Sequence, residues 1–279
     1  MTAILIALMI IIALCLLILF LIFPATRRHP DRKILSGLYI AHRGLHDIDG
    51  SGEENSLPAF RFAAENGFAA ENDIHLTADG EVVVFHDDTL DRMCGVSGKV
   101  EEKTLSELKK LRLGGTDEQI PTLKECLDVV GGRVPMLIEF KVVDGNHKAL
   151  CAAADKILSD YKGKYFIQSF YPSVLTWYKA NRPDICRGQL AEVFGSDKPA
   201  FYKLLSCLIT NVVTRPDFVS YNFMHKNFFF RRLAVWLGAF SVGWTFRKKE
   251  QVAGAKQDFA TYIFENFLPD SVCEEDKKC

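Results

Sequence analysis

A short apolar run followed by a helix-like stretch recurs eight times between residues 38 and 267, and no other feature constrains the fold as much. The runs are LYIAHR (38–43), FAAEND (68–73), PMLIEFK (135–141), YFIQSF (165–170), ICRGQL (185–190), DFVSYN (217–222), FSVGWTF (240–246) and YIFENF (262–267). Strands that alternate with helices pair in parallel, each helix crossing back over the sheet. Eight such units within residues 37–279 predict an α/β fold, a (β/α)8 TIM barrel. An open doubly wound sheet is the alternative. Several helix starts are readable. Ser56 precedes a helix with Pro58 in its first turn, and Thr104 with Glu107 and Thr122 with Glu125 fit capping boxes.

Two intervals break the rhythm. In IHLTADGEVVVFH (74–86) the break is only TADG, too short for a parallel crossover but suited to a hairpin. A turn centred on Ala78 and Asp79 sets Glu71 opposite His86 and Asp73 opposite Val84, so that Glu71, Asp73 and His86 share one face. The segment from Asp87 to Pro121 carries one short helix between turn-rich flanks, and reads as an insertion or lid over the catalytic face.

The amino-terminal stretch AILIALMIIIALCLLILFLIF (3–23) has no charge and no polar break. At about 1.5 Å per residue it matches the hydrocarbon thickness of a bilayer. It lacks the basic n-region and cleavage site of a signal peptide, so residues 1–24 are expected to be an uncleaved single-pass anchor. Residues 25–36 read as a basic juxtamembrane linker with Arg27, Arg28, Arg32 and Lys33, which puts the domain behind it in the cytoplasm. The eight cysteines form no C-x-x-C pair, which agrees with a reducing compartment. Net charge is −1, so nothing global points to a nucleic-acid partner.

Polar residues collect at the ends of the expected strands. His42 and Arg43 end the first. Glu71 and Asp73 end the second, with His86 returning on its hairpin. Glu139 and Lys141 follow in the third parallel strand, and Gln168 and Ser169 end the next. In a parallel barrel these ends converge. Three carboxylates without a thiolate make a hard oxygen site suited to Mg²⁺ or Ca²⁺. Two histidines can act as general acid and base, and Arg43 with Lys141 offers positive charge to an anion. That combination suits phosphoryl chemistry.

The segments AHRG, EENSLPAFRFAAENG, ENDIHLTADGEVVVFHDDTLDR and LIEFK resemble the glycerophosphodiester phosphodiesterase family, densely over residues 39–141 and more loosely at QSF (168–170) and WT (244–245). The resemblance implies a TIM barrel and a metal-dependent phosphodiesterase acting on a small-molecule or lipid-derived diester. By motif position it implies His42 and His86 as the acid/base pair, Glu71, Asp73 and Glu139 as metal ligands, and Arg43 and Lys141 as groups facing the phosphate. The family's insertion falls on residues 88–121. Ser56 stands where the family usually has Thr, and Glu265 and Asn266 stand near its usual Thr-Asp.

Gln168 and Trp244 are expected to line the pocket. His46, Asp47 and Asp49 read as a solvated loop, and His75 as structural. The stretch 224–238 reads as a barrel helix with its apolar face inward, membrane contact being the alternative. Two other functions stay open: lysophospholipase D or phospholipase-like action on lipids, and a non-catalytic membrane-tethered binding module.

Overall fold

The computed structural model of the chain describes residues 2–25, 29–48 and 50–269. Its strands are β1 (Tyr39–Ala41), β2 (Ala69–Leu76), β3 (Val82–Val84), β4 (Met136–Phe140), β5 (Tyr165–Ser169), β6 (Arg187–Ala191), β7 (Phe218–Asn222), β8 (Phe240–Phe246) and β9 (Thr261–Phe264). All but β3 pair in parallel. β1 joins both β2 and β9, so the eight expected strands close into a barrel. The capping chemistry forms as expected: Ser56 Oγ accepts from Ala59 N–H, and both capping boxes are complete.

Side chains alternate along a strand, so every second residue faces the barrel interior. One interior cluster takes Ile40, Ala69, Leu137, Phe166, Phe218, Val242 and Ile263 from seven of the barrel strands. Cys186, just ahead of β6, completes the ring, and Leu35 plugs it from the short helix Arg32–Leu35. This is the floor of the barrel. Gly188 leaves room for it, since a Cβ there would lie 1.9 Å from the Phe218 ring. Residues 29–36, expected as a linker, are thus packed beneath the barrel. Thr261 Oγ1 donates to the Leu35 carbonyl at 2.5 Å, and the buried His29 meets the Asp184 carbonyl at 2.9 Å. Arg27 and Arg28 lie outside the described residues.

The hairpin forms with a register one residue from the expected one. Ile74 pairs with Val84 and Leu76 with Val82, so the turn centres on Asp79 and Asp73 faces Phe85. Thr77 takes the extra position: its N–H donates to the Glu81 carbonyl, and its hydroxyl accepts from Glu81 N–H at 2.9 Å. Strict alternation would then turn His86 to the outside with Val84. It does not apply, because β3 ends at Val84 and the chain bends before His86. Beyond it, residues 88–121 add Leu90, Met93, Val100, Leu108, Leu113 and Ile120 to a small core on Val83 and Phe85. His75 is fully buried and ties this unit to β2, its Nδ1 lying 2.5 Å from Glu101 Oε1.

The helix Phe229–Trp236 packs Phe230, Leu233 and Ala234 against the core as expected, but its inward side also carries Arg231, and Phe229 and Trp236 are exposed. Arg231 is accommodated because its Nη2 meets Ser241 Oγ at 3.0 Å and its guanidinium stacks 4.1 Å from the Phe259 ring centre.

The helix Thr2–Ile22 is long and apolar enough to cross a membrane, and its hydrophobic side chains are exposed all round. Only its last turn meets the barrel. Asn211 Nδ2 donates to the Ile22 carbonyl at 3.0 Å, and Arg215 Nη1 donates to the Phe23 carbonyl at 2.7 Å.

Candidate active site

Two residues beyond the floor, on the same strands or one residue past their ends, stand His42, Glu71, Glu139, Gln168, Trp244 and Glu265. The first five line one cavity of about 80 Å³, together with His86 and Lys141. The expected site residues are therefore gathered, with Asp73 and Arg43 directly behind them. Gln168 is buried with its Oε1 unpartnered, and the Trp244 Nε1–H is likewise buried without an acceptor.

Glu71, Asp73 and Glu139 each offer one oxygen within 4.8 Å of the others, and all three are buried. Lys141 Nζ meets Glu139 Oε1 at 2.5 Å and Asp73 Oδ1 at 2.9 Å. Arg43 Nε lies 3.7 Å from Asp73 Oδ2, and the Arg43 backbone N–H donates to Glu71 Oε2 at 2.9 Å. Asn55 Nδ2 donates to Asp73 Oδ2 at 3.0 Å. To aim these groups, Arg43 and Asn55 both take the left-handed backbone (φ 54° and 55°), a strain typical of functional loops.

The charges do not balance. Burial pushes Glu71 well above its ordinary pKa, and the neighbouring Asp73 and Glu139 push the same way. Burial also raises Glu139, against the pull of Lys141. Asp73 is equally buried, yet Lys141, His86 and Arg43 outweigh that and hold it well below the carboxylate range. Glu71 Oε1 is buried with no hydrogen-bond partner. A convergent set of hard oxygens with surplus negative charge fits a divalent cation. Lys141 shows the reverse: burial works against its charge, but Asp73 and Glu139 outweigh it and raise the pKa.

Each histidine has a carboxylate on Nδ1. For His86 it is Asp87 Oδ1 at 2.6 Å, and Arg92 Nε holds the other Asp87 oxygen at 2.6 Å. For His42 it is Glu265 Oε2 at 2.5 Å, and Arg247 Nε holds the other Glu265 oxygen at 2.6 Å. Such a contact fixes the ring and leaves Nε2 free for chemistry. Burial lowers both histidines. His86 falls to about 4, with Lys141 and Arg43 adding to burial against Asp73 and Asp87. In His42 the Glu265 hydrogen bond partly offsets burial. Burial opposes the Glu265 charge, but its bond to His42 and the Arg247 charge bring it down to about 2. Glu54 joins the two halves, meeting Arg43 Nη1 at 2.9 Å and Arg92 Nη2 at 2.6 Å.

Glu54, Arg92 and Glu265 escape a search for strand-end chemistry, whereas Asp87 stands beside His86 at the hairpin's return. Glu265 had a usable signal, since it follows Ile263 as His42 follows Ile40. His46, expected in a solvated loop, is buried and lies 2.8 Å from the exposed Asp47, while Asp49 lies outside the described residues.

The model of the glycerophosphoryl diester phosphodiesterase family matches residues 42–255. A glycerophosphodiester phosphodiesterase of Caldanaerobacter subterraneus subsp. tengcongensis is 39% identical over 115 residues, covering 39% of this chain and 46% of that protein. A lysophospholipase D of Rattus norvegicus is 31% identical over 162 residues, covering 53% of this chain and 49% of that protein. The chain thus spans about half the length of these curated relatives. A phosphodiesterase of Oleispira antarctica, solved in complex with the product sn-glycerol-3-phosphate, superposes with a TM-score of 0.68 at 24% identity. That match covers 84% of this chain and 94% of the other, and shows a common fold.

Proposed function

The chain belongs to the glycerophosphoryl diester phosphodiesterase family, and on that premise we propose that it hydrolyses a glycerophosphodiester to glycerol phosphate and an alcohol. The observation that carries this reading is the pair of histidines, each braced by a carboxylate, on one cavity with Glu71 and Glu139, which cluster with the buried Asp73.

Glu71, Asp73 and Glu139 would hold Mg²⁺ or Ca²⁺, which when bound supplies positive charge to the phosphoryl oxygens. One histidine takes the proton of the attacking oxygen. The other delivers a proton to the leaving oxygen as its bond to phosphorus breaks. The attacking oxygen is either a neighbouring glycerol hydroxyl, giving a cyclic phosphate that water then opens, or water itself. In the first route the histidines exchange roles between steps. Lys141 orients Glu139 and Asp73 and adds charge toward the phosphate. Arg43 does the same from the other side. The Trp244 N–H and the Gln168 amide remain to orient the substrate, which fits their unpartnered atoms.

We further propose that Thr2–Ile22 anchors the enzyme in a membrane, with the barrel on the cytoplasmic side. The all-round exposure of its apolar side chains supports the anchor, and the basic flank supports the orientation. The likeness to a lysophospholipase D keeps lipid diesters within the reading. A non-catalytic binding module is disfavoured, because both histidines and the acidic cluster are present on one site.

The test uses the full chain in lipid nanodiscs with glycerophosphocholine and glycerophosphoethanolamine, in Mg²⁺, Ca²⁺ or EDTA. Release of glycerol phosphate that requires the metal supports the reading. Cleavage undiminished in EDTA would overturn the metal's part, and no cleavage of any diester would overturn the activity.

A further inference from the structure

The catalytic cavity stands on the carboxyl side of the floor ring, whereas the apolar helix Thr2–Ile22 joins the barrel on the amino side, ahead of β7. Besides the Asn211 contact, Arg215 Nη1 donates to the Phe20 carbonyl at 3.0 Å and to the Phe23 carbonyl at 2.7 Å, and its guanidinium lies 4.9 Å from the Phe20 ring centre. The Ala25 N–H donates to the Pro216 carbonyl at 3.0 Å. A helix of 21 residues spans about 31 Å, the thickness of a bilayer's hydrocarbon layer. Its last carbonyls therefore reach headgroup level, and the rim residues that bind them are held at that level too.

The neighbouring rim suits that place. Phe218 pairs in register with Phe240, so the chain entering β8 lies level with the chain entering β7. There the helix Phe229–Trp236 ends on Trp236, which is 77% exposed. Val213 is exposed beside Arg215, and beneath the barrel the helix Arg32–Leu35 leaves Lys33 and Ile34 exposed. Between Asp197 and Glu250 the chain carries nine Lys or Arg and a single acid, Asp217, which is buried 3.7 Å from Arg187 Nη1. Over the whole chain the two signs balance at 34 and 35. The exposed rim acids Asp160 and Asp184 precede β5 and β6, outside this sector.

We propose that the rim at the start of β7 and β8 rests on an anionic lipid surface, that of the membrane holding Thr2–Ile22, and that the catalytic mouth faces away from it. The inference rests on the anchor reading and adds a docking face and an orientation. Tryptophan favours the level where headgroups meet hydrocarbon, and each Lys or Arg near an anionic leaflet adds attraction. With the mouth turned away, substrate arrives through water. A diester embedded in the same membrane has to leave it before it can be cleaved.

The experiment places the full chain in nanodiscs of phosphatidylcholine and phosphatidylserine whose acyl chains carry bromine close to the glycerol, and compares tryptophan emission with that in unbrominated discs. Bromine quenches only rings at its own depth. Trp236 is one of three tryptophans, so wild type should lose about a third of its emission and Trp236→Phe almost none. A second variant carries Trp236→Phe with Phe229→Trp, which moves the reporter about 10 Å along the same helix toward the mouth. Both positions are exposed, so the core stays intact. No quenching is expected there. Quenching at both positions would lay the helix flat on the lipid and overturn the orientation. A chain that stays with the discs but shows no quenching at Trp236 overturns the docking face alone. A chain that does not stay with the discs removes the anchor reading, and this proposal with it.

Discussion

On strand after strand, the residue that fills the barrel floor and the residue that faces the cavity are two positions apart: Ile40 and His42, Ala69 and Glu71, Leu137 and Glu139, Phe166 and Gln168, Val242 and Trp244, Ile263 and Glu265. They share a backbone and a direction, and Glu71, Glu139 and Gln168 are as enclosed as the floor, while His42, Trp244 and Glu265 are partly buried. The floor gains stability from burial without polar cost. The layer above it buries carboxylates that repel each other and leaves Glu71 Oε1, Gln168 Oε1 and Trp244 Nε1 unpartnered. The difference teaches that enclosure alone does not tell a core from a site. The sign of a substitution's effect on stability should.

The comparison can be broken most forcefully at His42. His42→Ala should lower kcat for a glycerophosphodiester by about 10²–10⁴, while the urea midpoint stays within error of wild type. In the floor the expectation reverses. Phe166→Ala, two positions before Gln168, should cost about 3–5 kcal/mol of stability, read by urea denaturation, and spare activity in the fraction that remains folded.

Glu71→Gln should raise the stability of the metal-free protein by about 1–2 kcal/mol, because one of three crowded carboxylates is removed. The same substitution should abolish activity. The smallest effect is expected at Glu265, whose pKa of about 2 lies below the ordinary value. A depressed carboxylate stabilises the fold above its unfolded pKa, and that share is lost as pH falls through the folded value. Any stability advantage of wild type over Glu265→Gln should therefore shrink from about pH 4.3 downward, by on the order of 1 kcal/mol. A difference that is flat with pH would remove Glu265 as an ionised brace of His42.

The eight strands were legible because parallel strands buried on both faces read as continuous apolar runs. The triad was legible because Glu71, Asp73 and Glu139 interrupt those runs. The hairpin was legible only as a hairpin. Its register depended on how Thr77 closes the turn, and His86 reaches the site through a bend that alternation does not describe. Glu265 was visible as a strand-end carboxylate two residues after Ile263, but its departure from the family's usual residues gave no clue to its part as the brace of His42.

Thermal denaturation of wild type and Glu71→Gln, each with EDTA and with Mg²⁺ or Ca²⁺, tests the central claim most directly. If the upper layer is a costly site that a divalent cation completes, wild type melts below the variant in EDTA, and only wild type gains stability from the metal. If wild type melts above the variant in EDTA and neither responds to either metal, the three carboxylates are part of the barrel's structural core, and the account of the site is wrong.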